Sequence, residues 1–315
     1  MDVESTVKVA APSEIRPNPE NPRLVFREKE LLELEDSIAA NGILVPLTVY
    51  EASDGGYVLL DGERRWRCAK KLGLRRVPII VQPEPPLMQN IMMMFAIHNA
   101  RSDWDPLPTA LKLKQLEELY EKNEGRAPTE PQLAQLASLS RGEVRRLKNI
   151  LALPKDYLTL IQDEQELPRG DQSLTVDHLL EVTRGGKALA RQEIVTEEER
   201  AELERALIGK FKEKKLTSTV EPRLLTRMAR AVERDDVPAA VVKSTVQRMI
   251  AEPDFTIKAA YAASVEMAER DHNLEMATRR IASTLAALPP AGALSEGTRT
   301  ALRELRDAIN AIIQG

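Results

Sequence analysis

The pattern of apolar and polar positions separates two kinds of region along the chain. Up to residue 86, one segment with apolar residues at helical spacing precedes shorter apolar segments bounded by turn residues, which are typical of strands. The elements predicted in this part are a helix over 29–41, strands over 44–50, 57–60 and 77–81, and a basic helix over 64–72. Helices that alternate with strands in this way indicate a small mixed α/β domain.

Beyond residue 87 the pattern is helical, and it predicts no strand. The predicted helices cover residues 88–100, 108–124, 131–137, 141–152, 155–165, 175–183, 196–212, 221–234, 237–250, 255–287 and 297–313. Stretches at 184–195 and 289–296, which contain glycine or proline, predict linkers. We therefore expect an α+β protein with a mixed α/β domain over 1–86, an all-α domain over 87–195 and a helical region over 196–315.

The composition places the chain among water-soluble proteins with aliphatic cores. Apolar residues make up 43% of the chain but aromatic residues only 3%, which favours helices packed through Leu, Ala, Val and Ile. No apolar run approaches the roughly 18 residues that span a membrane, and residues 1–11 lack the pattern of a signal peptide. The single cysteine, Cys68, excludes an internal disulfide and favours a reducing, cytoplasmic setting.

The formal net charge of −4 argues at first against nucleic acid as a partner. The charges are distributed unevenly, however. Residues 62–76 hold seven Lys or Arg against one acidic residue, and residues 141–155 hold five against one. Local basic faces on an acidic protein are typical of a modular DNA-binding protein.

Residues 133–151 fit a helix-turn-helix, in which two short helices cross around a tight turn. Ala134 occupies the position where the helices approach closely, and Ser138 the turn position that is usually Gly. The left-handed backbone expected there costs a Ser on the order of 1 kcal/mol. Ser140 and Glu143 form a capping-box pattern, which predicts where the second helix begins.

The second helix of this motif has one apolar and one basic face, as a helix that reads the major groove requires. The residues predicted to contact DNA are Ser140, Arg141, Arg145, Arg146, Lys148 and Asn149. Arg can donate two hydrogen bonds to guanine, and both Lys and Arg neutralise phosphates. An ordinary surface helix with a solvated basic side is the alternative interpretation.

The segment Gly62-Glu63-Arg64-Arg65-Trp66-Arg67 stands between a predicted strand and a predicted helix. Unpaired backbone N–H groups at the start of a helix attract anions, and arginines donate in pairs to phosphate oxygens. Gly62 would let the backbone approach a ligand, and Glu63 would hold a metal ion or pair with an Arg. A basic surface turn with Trp66 packed beneath it is the alternative. No Walker-type phosphate-binding sequence is present.

These segments resemble the motifs of the ParB family, the ParB/RepB/Spo0J type of partition protein. Residues 15–23 resemble the first ParB box, residues 62–67 the second box, which is the most specific, and residues 97–106 the third motif. The helix-turn-helix follows at the family's usual distance. The resemblance covers roughly residues 13–185.

The resemblance implies a ParB/sulfiredoxin-like N-terminal domain that binds CTP with Mg²⁺, and a site-specific double-stranded DNA partner. The residues that it places at the nucleotide are Gly62, Glu63, Arg64, Arg65, Asn99 and Arg101. Of these, Glu63 and Asn99 would hold the metal ion. It also implies a homodimer that closes as a clamp and slides on DNA, partition of a plasmid or chromosome with a ParA-type ATPase, and a cytoplasmic location on the nucleoid or plasmid.

The chain departs from the family pattern at several positions. The Glu that the family uses for hydrolysis is replaced by His98 or Ile97, depending on a one-residue gap, so we expect at most a weak CTPase. Val45 stands where the family often has Gln, which leaves ATP or no nucleotide as alternatives to CTP. Residues 1–12 lack the basic segment through which many members stimulate ParA. Cys68 lacks the setting of the sulfiredoxin cysteine, and we interpret it as a small core residue.

The last predicted region, residues 196–315, has apolar helical faces that predict either a helical core or a dimerisation element. Thr196 and Glu199 repeat the capping-box pattern. Two further functions compete with partition: a transcription regulator of a plasmid, phage or integrated element, and a nuclease or small-molecule kinase built on the same fold. The helix-turn-helix and the missing Glu argue against the enzyme.

Overall fold

The computed structural model describes residues 7–22, 26, 28–99, 105–167, 170–288 and 294–314. The strands in these ranges are β1 (Val7–Ala10), β2 (Ile15–Arg16), β3 (Leu47–Glu51), β4 (Tyr57–Asp61) and β5 (Val77–Gln82). The helices up to the helix-turn-helix are α1 (Glu28–Asn41), α2 (Glu63–Lys71), α3 (Leu87–Asn99), α4 (Pro106–Glu124), α5 (Glu130–Leu136) and α6 (Arg141–Leu151). The later helices are α7 (Lys155–Glu166), α8 (Val176–Arg191), α9 (Glu197–Lys212), α10 (Arg223–Glu233), α11 (Ala239–Ala251), α12 (Ile257–Ser264), α13 (Glu266–Ala286) and α14 (Glu296–Gln314).

Within the described residues, the strands form one mixed sheet in the order β1-β5-β3-β4-β2. β1 pairs antiparallel with β5, β5 parallel with β3, β3 antiparallel with β4, and β4 parallel with β2. The predicted strands correspond to β3, β4 and β5. The sequence analysis did not predict β1 and β2, because both are short, neighbour proline residues and, in β1, expose three of four side chains.

The sheet lies between helices, and the alternation of side chains along β4 shows how. Leu59 faces α2 and belongs to a buried cluster with Trp66, while Val58 and Leu60 face the other side and pack with Met94 of α3. This period of two is what a strand buried on both faces requires. The N-terminal part is therefore the mixed α/β layer predicted from the sequence, and helices make up the rest of the described chain.

The described chain forms two compact units, residues 1–183 and 184–315. The division into three regions remains a prediction, since these units are coarser. The linker prediction for residues 184–195 is wrong over most of that range, because α8 continues to Arg191. A Cβ on Gly185 would lie 2.6 Å from Leu225 Cβ, and one on Gly186 would lie 2.6 Å from Glu204 Oε1. The two glycines therefore allow close helix packing rather than a turn.

The helix predicted over residues 255–287 is two helices, α12 and α13, which meet at Val265. That residue is fully buried and leaves the helical region with φ −123°. Most of the other predicted linker, residues 289–293 of 289–296, lies outside the described residues. None of the described helices is both long and apolar enough to cross a membrane.

The helix-turn-helix forms from α5 and α6 as predicted. Ala134 is 6% exposed, and its carbonyl accepts a hydrogen bond from the N–H of Leu139 at 2.9 Å, which closes the turn. Ser138 adopts φ 51°, so the left-handed conformation expected at this position is confirmed. Ser140 Oγ accepts from the Glu143 N–H at 3.2 Å while Glu143 Oε2 accepts from the Ser140 N–H at 2.8 Å, which confirms the capping box.

Candidate functional sites

The start of α2 is a tight turn that requires glycine. β4 ends at Asp61, and Gly62 turns the chain into the helix with φ 97° and ψ 24°, a left-handed conformation that favours glycine. A Cβ at this position would lie 2.7 Å from Leu47 Cδ2. Among the described side chains none caps this helix start. The first backbone N–H groups of α2 therefore form a positive helix end suited to an anion.

A cleft opens beside this helix start and holds about 380 Å³ of empty space, including the part open to solvent. Among the described residues, it is lined by Asn18, Asn21, Phe26, Leu59, Leu60, Asp61, Gly62, Glu63, Arg64 and Met94. The predicted nucleotide residues Gly62, Glu63 and Arg64 thus share one cleft. The sequence analysis did not single out Asn18 and Asn21, although the two asparagines of a proline-rich segment lie within the first motif.

Glu63 is held in place from two sides. Its Oε2 accepts from Asn21 Nδ2 at 2.7 Å, and its Oε1 accepts from Arg67 Nε at 3.0 Å and Nη2 at 2.7 Å. The guanidinium of Arg67 also lies 4.0 Å from the centre of the Phe26 ring. The Glu63 side chain is only 10% exposed, so this network fixes a carboxylate at the wall of the cleft.

Arg65 points away from the cleft. Its Nη1 donates to the carbonyl of Pro46 at 2.9 Å and also to the carbonyl of Val45, and its Nη2 donates to Asp61 Oδ2 at 3.0 Å. Arg65 therefore ties the loop before β3 to the start of α2. Its predicted contact with a nucleotide remains a prediction.

The remaining predicted nucleotide residues lie at the end of α3. Asn99 is the last residue of that helix, and its side chain falls outside the described part of the chain, as does all of Arg101. No group of three or more His, Cys, Asp or Glu side chains suited to a metal ion occurs among the described residues. The predicted metal ligands Glu63 and Asn99 therefore remain a prediction.

The loop before α1 is anchored by buried amides. Asn18 is 5% exposed, and its Nδ2 donates to Asn90 Oδ1 of α3 at 2.8 Å, while its Oδ1 accepts from the Glu20 N–H at 2.9 Å. Glu20 in turn accepts from Lys112 Nζ of α4 at 2.7 Å. The cleft wall formed by this loop is thus connected to both helices that follow the sheet.

The second candidate site is the exposed face of α6. Val144, Leu147 and Ile150 are buried against the neighbouring helices, at 0%, 5% and 0% exposure. All the residues predicted to contact DNA lie on the other side of the helix or at its start, and they are at least partly exposed: Ser140, Arg141, Arg145, Arg146, Lys148 and Asn149.

Acidic residues that the sequence analysis did not consider pair with these cations. Arg145 binds Glu130 at 2.8 Å, Arg146 binds Asp177 at 3.0 Å and Lys148 binds Glu117 at 2.7 Å. The hydrogen bonds from Arg145 hold the pKa of the Glu130 carboxyl below its ordinary value. The basic face is therefore held by ion pairs to the neighbouring helices.

Comparison with known proteins places the N-terminal half among partition proteins. Residues 2–97 match the ParB N-terminal domain family. The chain is 38% identical over 150 residues to the chromosome-partitioning protein ParB of Caulobacter vibrioides, an alignment that covers 46% of this chain and 47% of that protein. The chain thus spans about half the length of the curated relatives it matches.

Two solved structures of the C-terminally truncated ParB from Caulobacter crescentus are also similar. The one complexed to the centromeric parS site is 30% identical, with 70% of this chain and 98% of that chain covered and a TM-score of 0.44. The one complexed with CTP-gamma-S is 33% identical, with 51% and 86% covered and a TM-score of 0.29.

Proposed function

We propose, since the chain belongs to the ParB family, that it binds a specific DNA site and acts in plasmid or chromosome partition as a nucleotide-gated dimeric clamp. The observation that carries this proposal is the arrangement of side chains on α6. Its apolar face is buried, its start is capped, and its Arg, Lys and Asn side chains face outward. This is the arrangement by which a second helix of a helix-turn-helix enters the major groove.

The cleft at α2 supports nucleotide binding. A triphosphate would meet the uncapped start of α2, where Gly62 allows close approach, and Arg64 lies at the wall to donate to phosphate oxygens. Of the two predicted metal ligands, Glu63 is the one whose side chain is described, and it lies at the cleft wall. One carboxylate is sufficient where phosphates and water supply the other ligands of Mg²⁺. When bound, the triphosphate would attract the start of α2 and Arg64 through its negative charge, and the metal ion would attract Glu63.

Hydrolysis of the nucleotide is expected to be slow or absent. Ile97 is one of the two positions that replace the family's Glu, and its side chain packs against the buried cluster beneath α3. An apolar side chain in that place can neither position nor activate water. CTP is the proposed nucleotide because a similar protein is complexed with CTP-gamma-S.

The dimer is supported by α13 and the residues that follow it. Met267, Leu274, Ile281 and Leu288 recur every seven residues and are 66%, 61%, 41% and 36% exposed. Two paired helices have apolar residues at two positions of every seven, and these residues supply one of the two. We propose a homodimer through this face, and a ParA-type ATPase as the partner in partition.

Calorimetry of the full chain tests the nucleotide half of the proposal. We expect CTP with Mg²⁺ to bind, and to bind more tightly in the presence of a duplex that the protein has selected from a randomised pool. Arg64→Ala should abolish nucleotide binding because it removes the phosphate donor at the cleft wall. Arg16→Ala is the matched control, since Arg16 pairs with Asp54 at the surface and lies outside the cleft.

Each outcome bears on a different part of the proposal. Failure to select any duplex would remove the DNA site. Selective DNA binding without nucleotide binding would reduce the N-terminal domain to a scaffold and favour the transcription regulator. Tighter binding of ATP than of CTP would change the nucleotide but retain the cleft.

A further inference from the structure

The carboxylate of Glu130 lies between two arginines of the helix proposed to read DNA. Arg145 Nε donates to Glu130 Oε2 at 2.8 Å, and Arg145 Nη2 donates to Glu130 Oε1 at 2.8 Å. Arg141, one turn earlier on α6, donates its Nε to Glu130 Oε1 at 3.2 Å. Glu130 belongs to α5, so a side chain of the first helix holds two side chains of the second.

We propose that Glu130 is a positioning residue that orients Arg145 for base recognition and thereby sets the sequence specificity of this helix-turn-helix. The inference rests on the proposed DNA binding. A guanidinium has five N–H donors, and Glu130 engages one on Nε and one on Nη2. The edge formed by Nη1 and Nη2 stays available, and two donors on that edge match the O6 and N7 acceptors of guanine.

The support is in place before DNA arrives, because the start of α5 is itself fixed. The Thr129 N–H and Oγ1 both donate to Gln132 Oε1, at 2.9 and 2.8 Å, which holds the first turn on either side of Glu130. The Glu130 side chain is 29% exposed, whereas that of Arg145 is 59% exposed. A held arginine has less rotamer freedom to lose when it binds a base, so its contact with the correct base costs less.

The charge of the Glu130 carboxylate also lowers the affinity for DNA of any sequence. Affinity for any DNA sequence comes mainly from cations that neutralise phosphates. A negative charge between Arg141 and Arg145 lowers the positive potential of the helix. Glu130 therefore acts on discrimination by orienting Arg145, while its charge weakens attachment to every DNA sequence alike.

Glu117 of α4 provides a matched control, because it pairs with a cation of the same helix α6. It accepts from Lys148 Nζ at 2.7 Å and its side chain is 25% exposed, close to the value for Glu130. Lys presents a point charge without the planar pair of donors that orientation would favour. Removing the Glu117 charge thus reproduces the electrostatic effect without the loss of orientation.

The experiment measures the affinity of the full chain for a duplex that the wild-type protein has selected from a randomised pool, and for a shuffled duplex of the same composition. We expect Glu130→Gln to lower the ratio of the two affinities by about tenfold, the scale of one base contact. Glu117→Gln should raise both affinities together and leave the ratio within about twofold. In an Arg145→Ala background, Glu130→Gln should have no further effect on the ratio.

A second variant separates orientation from charge and from folding. Glu130→Asp keeps the charge but withdraws the carboxylate, so it should lower the ratio while leaving the salt dependence of binding unchanged. A wild-type protein without preference for any duplex would refute the DNA proposal itself. A clear wild-type preference that survives both Glu130 variants, or that falls equally in Glu117→Gln, would overturn the role of Glu130 alone.

Discussion

Two basic helices of the N-terminal unit, α2 and α6, begin in opposite ways. α2 begins at Gly62 in the left-handed conformation, and no described side chain caps it. α6 begins at Ser140, where two reciprocal hydrogen bonds with Glu143 close the first turn. Their arginines differ as well: Arg65 of α2 is 17% exposed and bound to carbonyls, whereas Arg145 of α6 is 59% exposed.

From this difference we expect the start of a helix, and not its number of arginines, to decide which ligand the helix suits. An uncapped start offers backbone N–H groups to a compact anion that enters a cleft. A capped start has already used those groups, so the helix offers its side chains to an extended surface. Under the proposed function, the same residue types serve a nucleotide at α2 and DNA at α6.

Among the substitutions that test this comparison of α2 and α6, we expect Gly62→Ala to have the largest effect on stability. Gly62→Ala combines the strain of φ 97° with a contact of 2.7 Å to Leu47, and we expect it to lower the free energy of unfolding by about 2–4 kcal/mol. Urea unfolding followed by Trp66 fluorescence, in a Trp104→Phe background, measures this change. Nucleotide binding should be lost at the same time.

Gly73 is the matched control for Gly62. It has φ 66°, and a Cβ there would meet nothing within 4 Å, so Gly73→Ala should cost only about 1 kcal/mol. The difference between the two variants isolates the close approach to Leu47. Equal losses in both would show that Leu47 moves aside, and would contradict the requirement for glycine by packing against Leu47.

Removal of the α6 cap is expected to have an intermediate effect. Ser140→Ala leaves the Glu143 N–H without its acceptor and should lower the opening free energy of α6 by about 1 kcal/mol, measured by hydrogen exchange without DNA. Thr196→Ala removes the same kind of cap from α9, where Thr196 Oγ1 accepts from the Glu199 N–H at 3.2 Å. Only the first should weaken binding of the selected duplex; equal weakening by both would contradict a local role for the α6 start.

The features that the sequence predicted well are those encoded within a few residues. The short apolar segment after a glycine turn that predicts β4 and the Ser140–Glu143 pair that begins α6 each depend on neighbours along the chain. Ser138 could be placed in the left-handed conformation because it occupies the turn position of the motif, which is usually Gly. Local patterns of this kind need no knowledge of the tertiary contacts.

The features that the sequence did not predict depend on residues far apart in the chain. Asn21 reaches Glu63 across 42 positions, and Glu130 reaches Arg145 across 15. The direction of Arg65 follows from the carbonyls of the loop before β3, and the glycine pair of α8 from packing against α9 and α10. Spacing along the chain carries no signal for any of these contacts.

The smallest expected effect concerns the charge of the α6 cap. Hydrogen bonds from the side chain and the N–H of Ser140 hold the pKa of Glu143 below its ordinary value of 4.5. A lowered pKa adds stability above the ordinary value, and this is lost as the pH falls through the folded-state pKa. Glu143→Gln should therefore reduce stability at pH 7 by less than about 1 kcal/mol, since the group is largely solvated, and have a smaller effect near pH 3. Urea midpoints at both pH values measure the difference. A deficit of equal size at the two pH values would mean that the cap depends on hydrogen-bond geometry alone, and α6 would then differ from α2 only in having a side chain at its start.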